Sequence, residues 1–219
     1  MPSPAEAPRL PDGYDEATLD DLADEARLDG IAVAGGFGVE VRVHGLELTH
    51  ARLSGVRLPG ATLDEAELVD VVWEDCDLAG LTLASTVLRR VAFRRCRLSA
   101  LVAAELVGSD VAFLECRMEE AWLRASRLER VDLSACDLTG SDWYGARVTS
   151  GRIRDSRLDG AELSQAKLDG VALHGTSVDG IRGSGALRKL VIGPEQVMDV
   201  ALAVFPSLGI RVEDAADDD

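Results

Sequence analysis

The chain keeps time in fives. From Val43 to Val178 there are 28 positions spaced five apart, and 26 of them are large and apolar, Ala103 and Gly108 being the exceptions. Two residues before each lies a second restricted position, which is Ala, Cys, Ser, Thr, Val or Gly in 24 of the 28 cases. The other three positions are mostly polar, and the last of each five is Gly ten times. Such a period fits neither a helix nor a strand. It calls for a path that turns every five residues, with two side chains inward and three outward. Glycine suits the turn because it tolerates positive φ, and its frequency argues against a long helix.

A slower clock runs over the first. The four cysteines are Cys76, Cys96, Cys116 and Cys136, each 20 residues after the last. Four cysteines allow two disulfides or one zinc site, but neither C-x-x-C nor a Cys/His cluster is present.

The pentads ARLDG (26–30), ARLSG (51–55), AELVD (66–70), CDLAG (76–80), CDLTG (136–140), SRLDG (156–160), AELSQ (161–165) and AKLDG (166–170) fit the pattern A-[DN]-L-x-x closely. On these residues the chain resembles the pentapeptide-repeat family, over at least 41–180, and from 26 if ARLDG and IAVAG (31–35) count. The resemblance implies an all-β solenoid: a right-handed quadrilateral β-helix with four pentads per 20-residue coil, about seven coils here. The cysteines then form one interior ladder of about 4.8 Å per step, continued by Val56 at one end and by Ser156 and Thr176 at the other. Packing is the preferred reading of this ladder over a redox or metal site, since parallel side chains suit a disulfide poorly. Leu53, Trp73, Phe93, Phe113 and Leu133 make a second column, with ring stacking expected among the aromatics. Leu101 and Leu106 supply the bulk missing at Ala103 and Gly108.

The net charge of −16 is uneven: −8 falls on residues 1–40, −5 on 41–180 and −3 on 181–219. Signs alternate at 20-residue spacing in Asp70, Arg90, Asp110, Arg130; in Asp75, Arg95, Glu115; in Arg117, Asp137, Arg157; and in the pairs Glu74/Arg94 and Asp77/Arg97. Ion-pair ladders on the outer walls are expected. Each exposed pair is worth only about 0–1 kcal/mol, but a slip of register would bring like charges together. The candidate acidic surface is Asp64, Glu65, Glu67, Asp70, Glu74, Asp75 and Asp77. Outward apolar residues Val72, Val87, Val102, Val107, Leu114 and Trp122 are a candidate partner surface if they adjoin.

Three segments follow. Residues 1–25 are read as a disordered tail, with four prolines in 1–13, and a short acidic capping helix drawn from DEATLDDLADEARL (15–28). Residues 26–182 are the repeat body, whose start at 26 or 41 stays open. Residues 183–219 are a C-terminal cap: a helix over 194–205 with Pro194 in its first turn, a final strand from LGIRVE (208–213), and a solvated acidic tail. Val197, Met198, Ala201, Leu202 and Phe205 form a candidate dimer helix.

No convergent catalytic group is recognisable. His44, His50 and His174 fall in three different columns, and no phosphate loop is present. No apolar run approaches the roughly 18 residues of a membrane span, and the N-terminus lacks a secretory pattern. The expectation is a cytoplasmic, non-enzymatic protein without cofactor or metal, contacting neither membrane nor nucleic acid directly. RRVAFRRCR (89–97) is the best basic stretch, but its arginines face the acids of the preceding coil. The first functional reading is a rod-shaped protein-interaction scaffold whose partner the sequence does not name. The resemblance implies a second: quinolone-resistance members of the family resemble DNA in shape and charge and bind DNA gyrase and other type II topoisomerases, giving antibiotic protection. A homodimer through the C-terminal cap would suit that role, while acids paired with arginines weigh against it.

Overall fold

The computed structural model describes residues 3–39 and 41–212. Its strands are β1 (Asp15–Ala17), β2 (Arg27–Asp29), β3 (Ile31–Ala34), β4 (Arg42–His44), β5 (Glu47–Ser54), β6 (Thr62–Asp64), β7 (Glu67–Glu74), β8 (Thr82–Ala84), β9 (Val87–Arg94), β10 (Val107–Leu114), β11 (Arg127–Ser134), β12 (Arg147–Arg154), β13 (Lys167–His174) and β14 (Val191–Ile192), followed by one helix, α1 (Val197–Val204). The main sheet stacks in parallel as β1-β3-β5-β7-β9-β10-β11-β12-β13-β14, with β2 also on β5, and β4-β6-β8 form a second sheet. Between β2 and β13 partners differ by 20 residues, as where Val107 faces Val87 on one side and Arg127 on the other, while β1–β3 and β13–β14 pair at offsets of 16 and 19. One coil is therefore four pentads. The remaining walls are built from single bridges such as Arg97 to Arg117 and Val102 to Trp122.

The solenoid makes about nine turns, against the seven expected. The extra turns come from β1–β3 at one end and β14 at the other. β2 and β3 pair in register with β5, so coil geometry extends N-terminal of residue 41. The expected acidic helix over 15–28 is absent: the segment forms β1, a single 3-10 turn at Leu19–Asp21 and β2. So short a helix is marginal by itself, whereas ordered strands gain backbone partners on the next coil.

The fifth residue of the pentad turns through the left-handed region, including at non-glycine residues such as Glu65, Asp70, Asp75, Arg90 and Asp110. That conformation costs an L-residue roughly 1–2 kcal/mol. Glycine is demanded sterically where the walls close in. A Cβ on Gly183, at φ +74°, would lie 2.2 Å from the Ser164 nitrogen.

Inside, all four cysteines are free and buried. Each thiol lies against carbonyls, as Cys116 does with Phe93 and Leu114, both at 3.4 Å. The aromatic column stacks as expected, with centroids 6.3 Å apart for Trp73–Phe93 and 5.0 Å for Phe93–Phe113. Leu101 and Leu106 are buried beside Ala103. Gly108 is buried between Leu128 and Val111, each 2.9 Å from where its Cβ would stand.

The 20-residue clock runs past the cysteines. The Cys136 amide donates to Ser156 Oγ at 3.0 Å and the Ser156 amide to Thr176 Oγ1 at 3.4 Å. The Thr176 amide donates to Gln196 Oε1 at 2.9 Å. The C-terminal helix arrives largely as expected, with Pro194–Gln196 as a 3-10 turn before α1. Over the described part of 208–213 the expected strand does not form. A 3-10 turn at Phe205–Leu208 ends in left-handed Gly209, and β14 is the last strand instead.

Candidate functional site

One corner of the solenoid carries a column of residues 20 apart: His50, Asp70, Arg90, Asp110, Arg130 and Ser150. All six have positive φ. The arginines reach back one coil. Arg90 holds Asp70 through Nε at 2.7 Å and Nη2 at 2.6 Å, and Arg130 holds Asp110 at 2.7 and 2.8 Å. Such two-point pairs fix the carboxylates in direction as well as in charge.

Across this corner runs the N-terminal segment, which was expected to be disordered. The Arg9 amide donates to Asp70 Oδ1 at 2.8 Å, the Glu6 amide to Asp110 Oδ1 at 2.9 Å and the Ser3 amide to Ser150 Oγ at 3.2 Å. From Ser3, near the later coils, the segment thus runs along the rod as a strap and enters the first coil at β1. Proline-rich composition predicts disorder when nothing ties the segment down; here fixed acceptors on the body do so.

Two predicted surface residues are buried. Asp70 is 2% exposed and Val72 0%. Neither is surface: Asp70 sits beneath the Arg9 backbone, and Val72 lies on the same wall, where outward-facing Ala92 is also buried. Burial pushes the Asp70 carboxyl up, but Arg90 and the Arg9 amide outweigh it and hold it below its ordinary value. Asp110 is lowered by Arg130 first, then by the Glu6 amide, against burial.

The rest of the candidate acidic surface is largely engaged. Glu67 pairs with Arg89 at 2.9 Å, Asp75 with Arg95 at 2.7 Å and Asp77 with Arg97 at 3.5 Å. Glu74 meets Arg52 at 3.1 Å and Arg95 at 2.8 Å rather than Arg94. Asp64 and Glu65 lie 3.4 and 3.9 Å from His44. These seven acids are spread over all the walls of one coil. The expected ladders are therefore sets of pairs one coil apart, because each two-point guanidinium is spent on the acid before it.

The apolar candidates do not merge either. Val87 and Val107 adjoin on one wall, Val102 and Trp122 on another, while Leu114 lies beside Arg94 and Ser134 on the wall that carries Val72. At the C-terminal end Val197, Met198 and Leu202 are exposed, as are Leu208, Ile210 and Val212. Ala201 and Phe205 are half-buried, and Val200, Ala203 and Val204 face the last coil. Sequence reasoning missed a basic column: Arg127, Arg147 and Lys167 stack in register and join no ion pair among the described residues. Their spacing of 20 was the available signal.

These features define the class: a four-walled β-solenoid of five-residue repeats, closed at its C-terminal end by a helix. Residues 86–163 match the family model described as pentapeptide repeat region, and the chain carries that repeat. A comparison with curated proteins found no match. Among solved structures it is similar to QnrB1, a plasmid-mediated fluoroquinolone resistance protein, at 16% identity over 92% of this chain and 97% of the other, with a TM-score of 0.45. It is also similar to HetL, involved in heterocyst differentiation regulation in the cyanobacterium Nostoc sp. strain PCC 7120, at 17% identity over 77% and 87%, with a TM-score of 0.37. A third is the pentapeptide repeat protein Rfr23 of the cyanobacterium Cyanothece 51142, at 15% identity over 80% and 93%, with a TM-score of 0.17.

Proposed function

We propose that the protein is a non-catalytic, cytoplasmic interaction scaffold: a rigid rod that presents fixed surfaces to a protein partner. The observation that supports this best is the neutralisation of the walls, where acids of one coil are matched by arginines of the next. A DNA-like surface needs a long run of uncompensated acids, and the body does not offer one. Recognition then falls to what projects or remains unpaired: the exposed apolar end at Met198 and Leu202, which suits a second copy of the chain, and the corner beneath the strap.

The alternative, a DNA-mimicking binder of DNA gyrase or another type II topoisomerase, draws on the charge of −16. It also draws on the N-terminal acids: Asp12, Asp15, Glu16 and Asp20 join no ion pair among the described residues. Inhibition of gyrase supercoiling by the purified protein, with and without a quinolone, tests both. The scaffold reading expects no inhibition and no drug protection with the host's own gyrase. Inhibition or protection at low protein concentration would replace it by the alternative.

A further inference from the structure

The strap is in register with the rod. Its three anchors fall every third residue, at Ser3, Glu6 and Arg9, while their acceptors fall every second coil, at Ser150, Asp110 and Asp70. Two coils span about 9.6 Å, so the strap must rise about 3.2 Å per residue. A polyproline-II helix rises about 3.1 Å and completes a turn in three residues. It therefore presents every third amide to the same side, once per two coils. A β-strand, with period two, would turn alternate anchors away. The prolines obey the same rule. Pro4 and Pro8 flank the anchors but never occupy them, and a proline there would remove the donor.

The acceptors are built for this contact. Asp70 and Asp110 occupy left-handed corner positions, where glycine fits without strain and the body uses it in ten pentads. Their side chains are almost completely buried, at 3% and 6% exposure, and are pre-aimed by Arg90 and Arg130. The strap gives little beyond backbone. The Glu6 and Arg9 side chains are 58% and 71% exposed, and only Ala5, Pro8 and Leu10 of the segment 3–10 are half-buried. Recognition through main-chain amides is indifferent to whose chain supplies them, as when a peptide adds a strand to a sheet edge.

We infer that the corner Asp70–Asp110–Ser150 is a docking groove for an extended, proline-bearing peptide with a free amide at every third residue. Residues 3–9 occupy the groove in cis, and the same kind of segment on a partner protein displaces them. This rests on the scaffold reading and names the chemistry of its partner. Tethering gives the strap an effective concentration of the order of millimolar, so the groove takes a partner only when the strap is weakened or the partner is concentrated.

The test uses the full chain. Glu6→Pro with Arg9→Pro keeps the extended backbone and removes both donors. A labelled peptide of residues 3–11 should bind this variant saturably in fluorescence anisotropy, with apparent affinity at least about tenfold above that for the unaltered protein, where it competes with the tethered strap. A peptide with prolines at its own positions 6 and 9 should not bind, whereas one with Ala7→Pro should bind like the parent. Equal binding of both proline-substituted peptides, or no binding to the folded variant, overturns the inference. A second measurement needs no variant: in the unaltered protein, the Glu6 and Arg9 amides should exchange hydrogen at least about tenfold more slowly than those of Ala5 and Ala7. Uniform exchange along the segment overturns it equally. A negative peptide result with an inert gyrase assay removes the groove and leaves the scaffold reading standing on the C-terminal end.

Discussion

Gln196 and Thr176 exchange two hydrogen bonds across the last coil: the Thr176 amide donates to Oε1 at 2.9 Å, and Nε2 donates to the Thr176 carbonyl at 2.7 Å. The glutamine amide stands where the backbone of another coil would be, and it is 1% exposed. It closes the open end of the ladder that the cysteines begin. Gln196→Ala should leave a buried donor and acceptor unmatched and lower stability by about 1–3 kcal/mol. Gln196→Glu keeps the acceptor but sets an unpaired buried carboxylate against the Thr176 carbonyl and Asp199, and should cost at least as much. Urea unfolding at neutral pH reads both, and an alanine variant as stable as the parent would show that the end is sealed by other means.

The four thiols should be silent in the native protein. They are buried, at no more than 3% exposure each, and out of reach of a reagent in solution. Since the thiolate is the reactive form, labelling by a thiol reagent should wait for global unfolding. A fast phase under native conditions, mapped to any one cysteine, would contradict its inward placement.

Two arginines should differ sharply in worth. Arg90→Ala strips the partner from a buried Asp70 and should cost about 3 kcal/mol. Arg95→Ala removes a partner from Asp75, whose side chain is 56% exposed, and should cost within about 1 kcal/mol. Comparable losses in thermal unfolding would mean that the corner column is not the special wall.

Acid should release the strap. Asp70 and Asp110 are held below their ordinary values, so the stabilisation they give is complete above the unfolded-state value of about 3.9. It disappears as the pH falls through the lower folded-state values. The amide resonances of Glu6 and Arg9 should therefore move together in that acid window, before the body unfolds. Movement near neutral pH would assign the release to another group.

Glycine substitutions should separate corners that need the conformation from those that also need the space. At Gly55, φ +62° with nothing near a Cβ, alanine should cost about 1 kcal/mol. At Gly183 a Cβ would collide with the Ser164 backbone, and alanine should disrupt the last coil. Equal melting temperatures for the two variants would refute the distinction.

The repeat body was legible because its information is periodic: an inward Leu every five residues and a Cys every 20 specify path and pitch together. Cys76 to Cys136 could be placed in one column once the family resemblance implied 20 residues per coil. The strap was not legible, because its contacts are main-chain amides at Ser3, Glu6 and Arg9, which leave no side-chain signature, and its prolines read as disorder. Val72 reads as a surface residue because pentad arithmetic tells which side chains leave the core, not which of those stay exposed. A usable hint existed in Asp70 and Asp110, charged residues at a corner where glycine is the easier choice. The acid pairing was anticipated in kind but not in partner, since the sequence does not say that Glu74 prefers Arg52 and Arg95 to Arg94.

The three-to-two match between strap and coils limits how this protein could grow. Duplicating one coil between Asp70 and Ser150 would lengthen the groove by one strand spacing, about 4.8 Å, equal to one and a half strap residues. It would also bring two like charges together in the corner column. Duplicating two coils and inserting three residues in the strap restores both the phase and the alternation of sign. Within that stretch, then, the rod behaves as a ruler graduated in pairs of coils, and a lengthened descendant that kept its strap should carry 40 more residues in the body for every three added at the front.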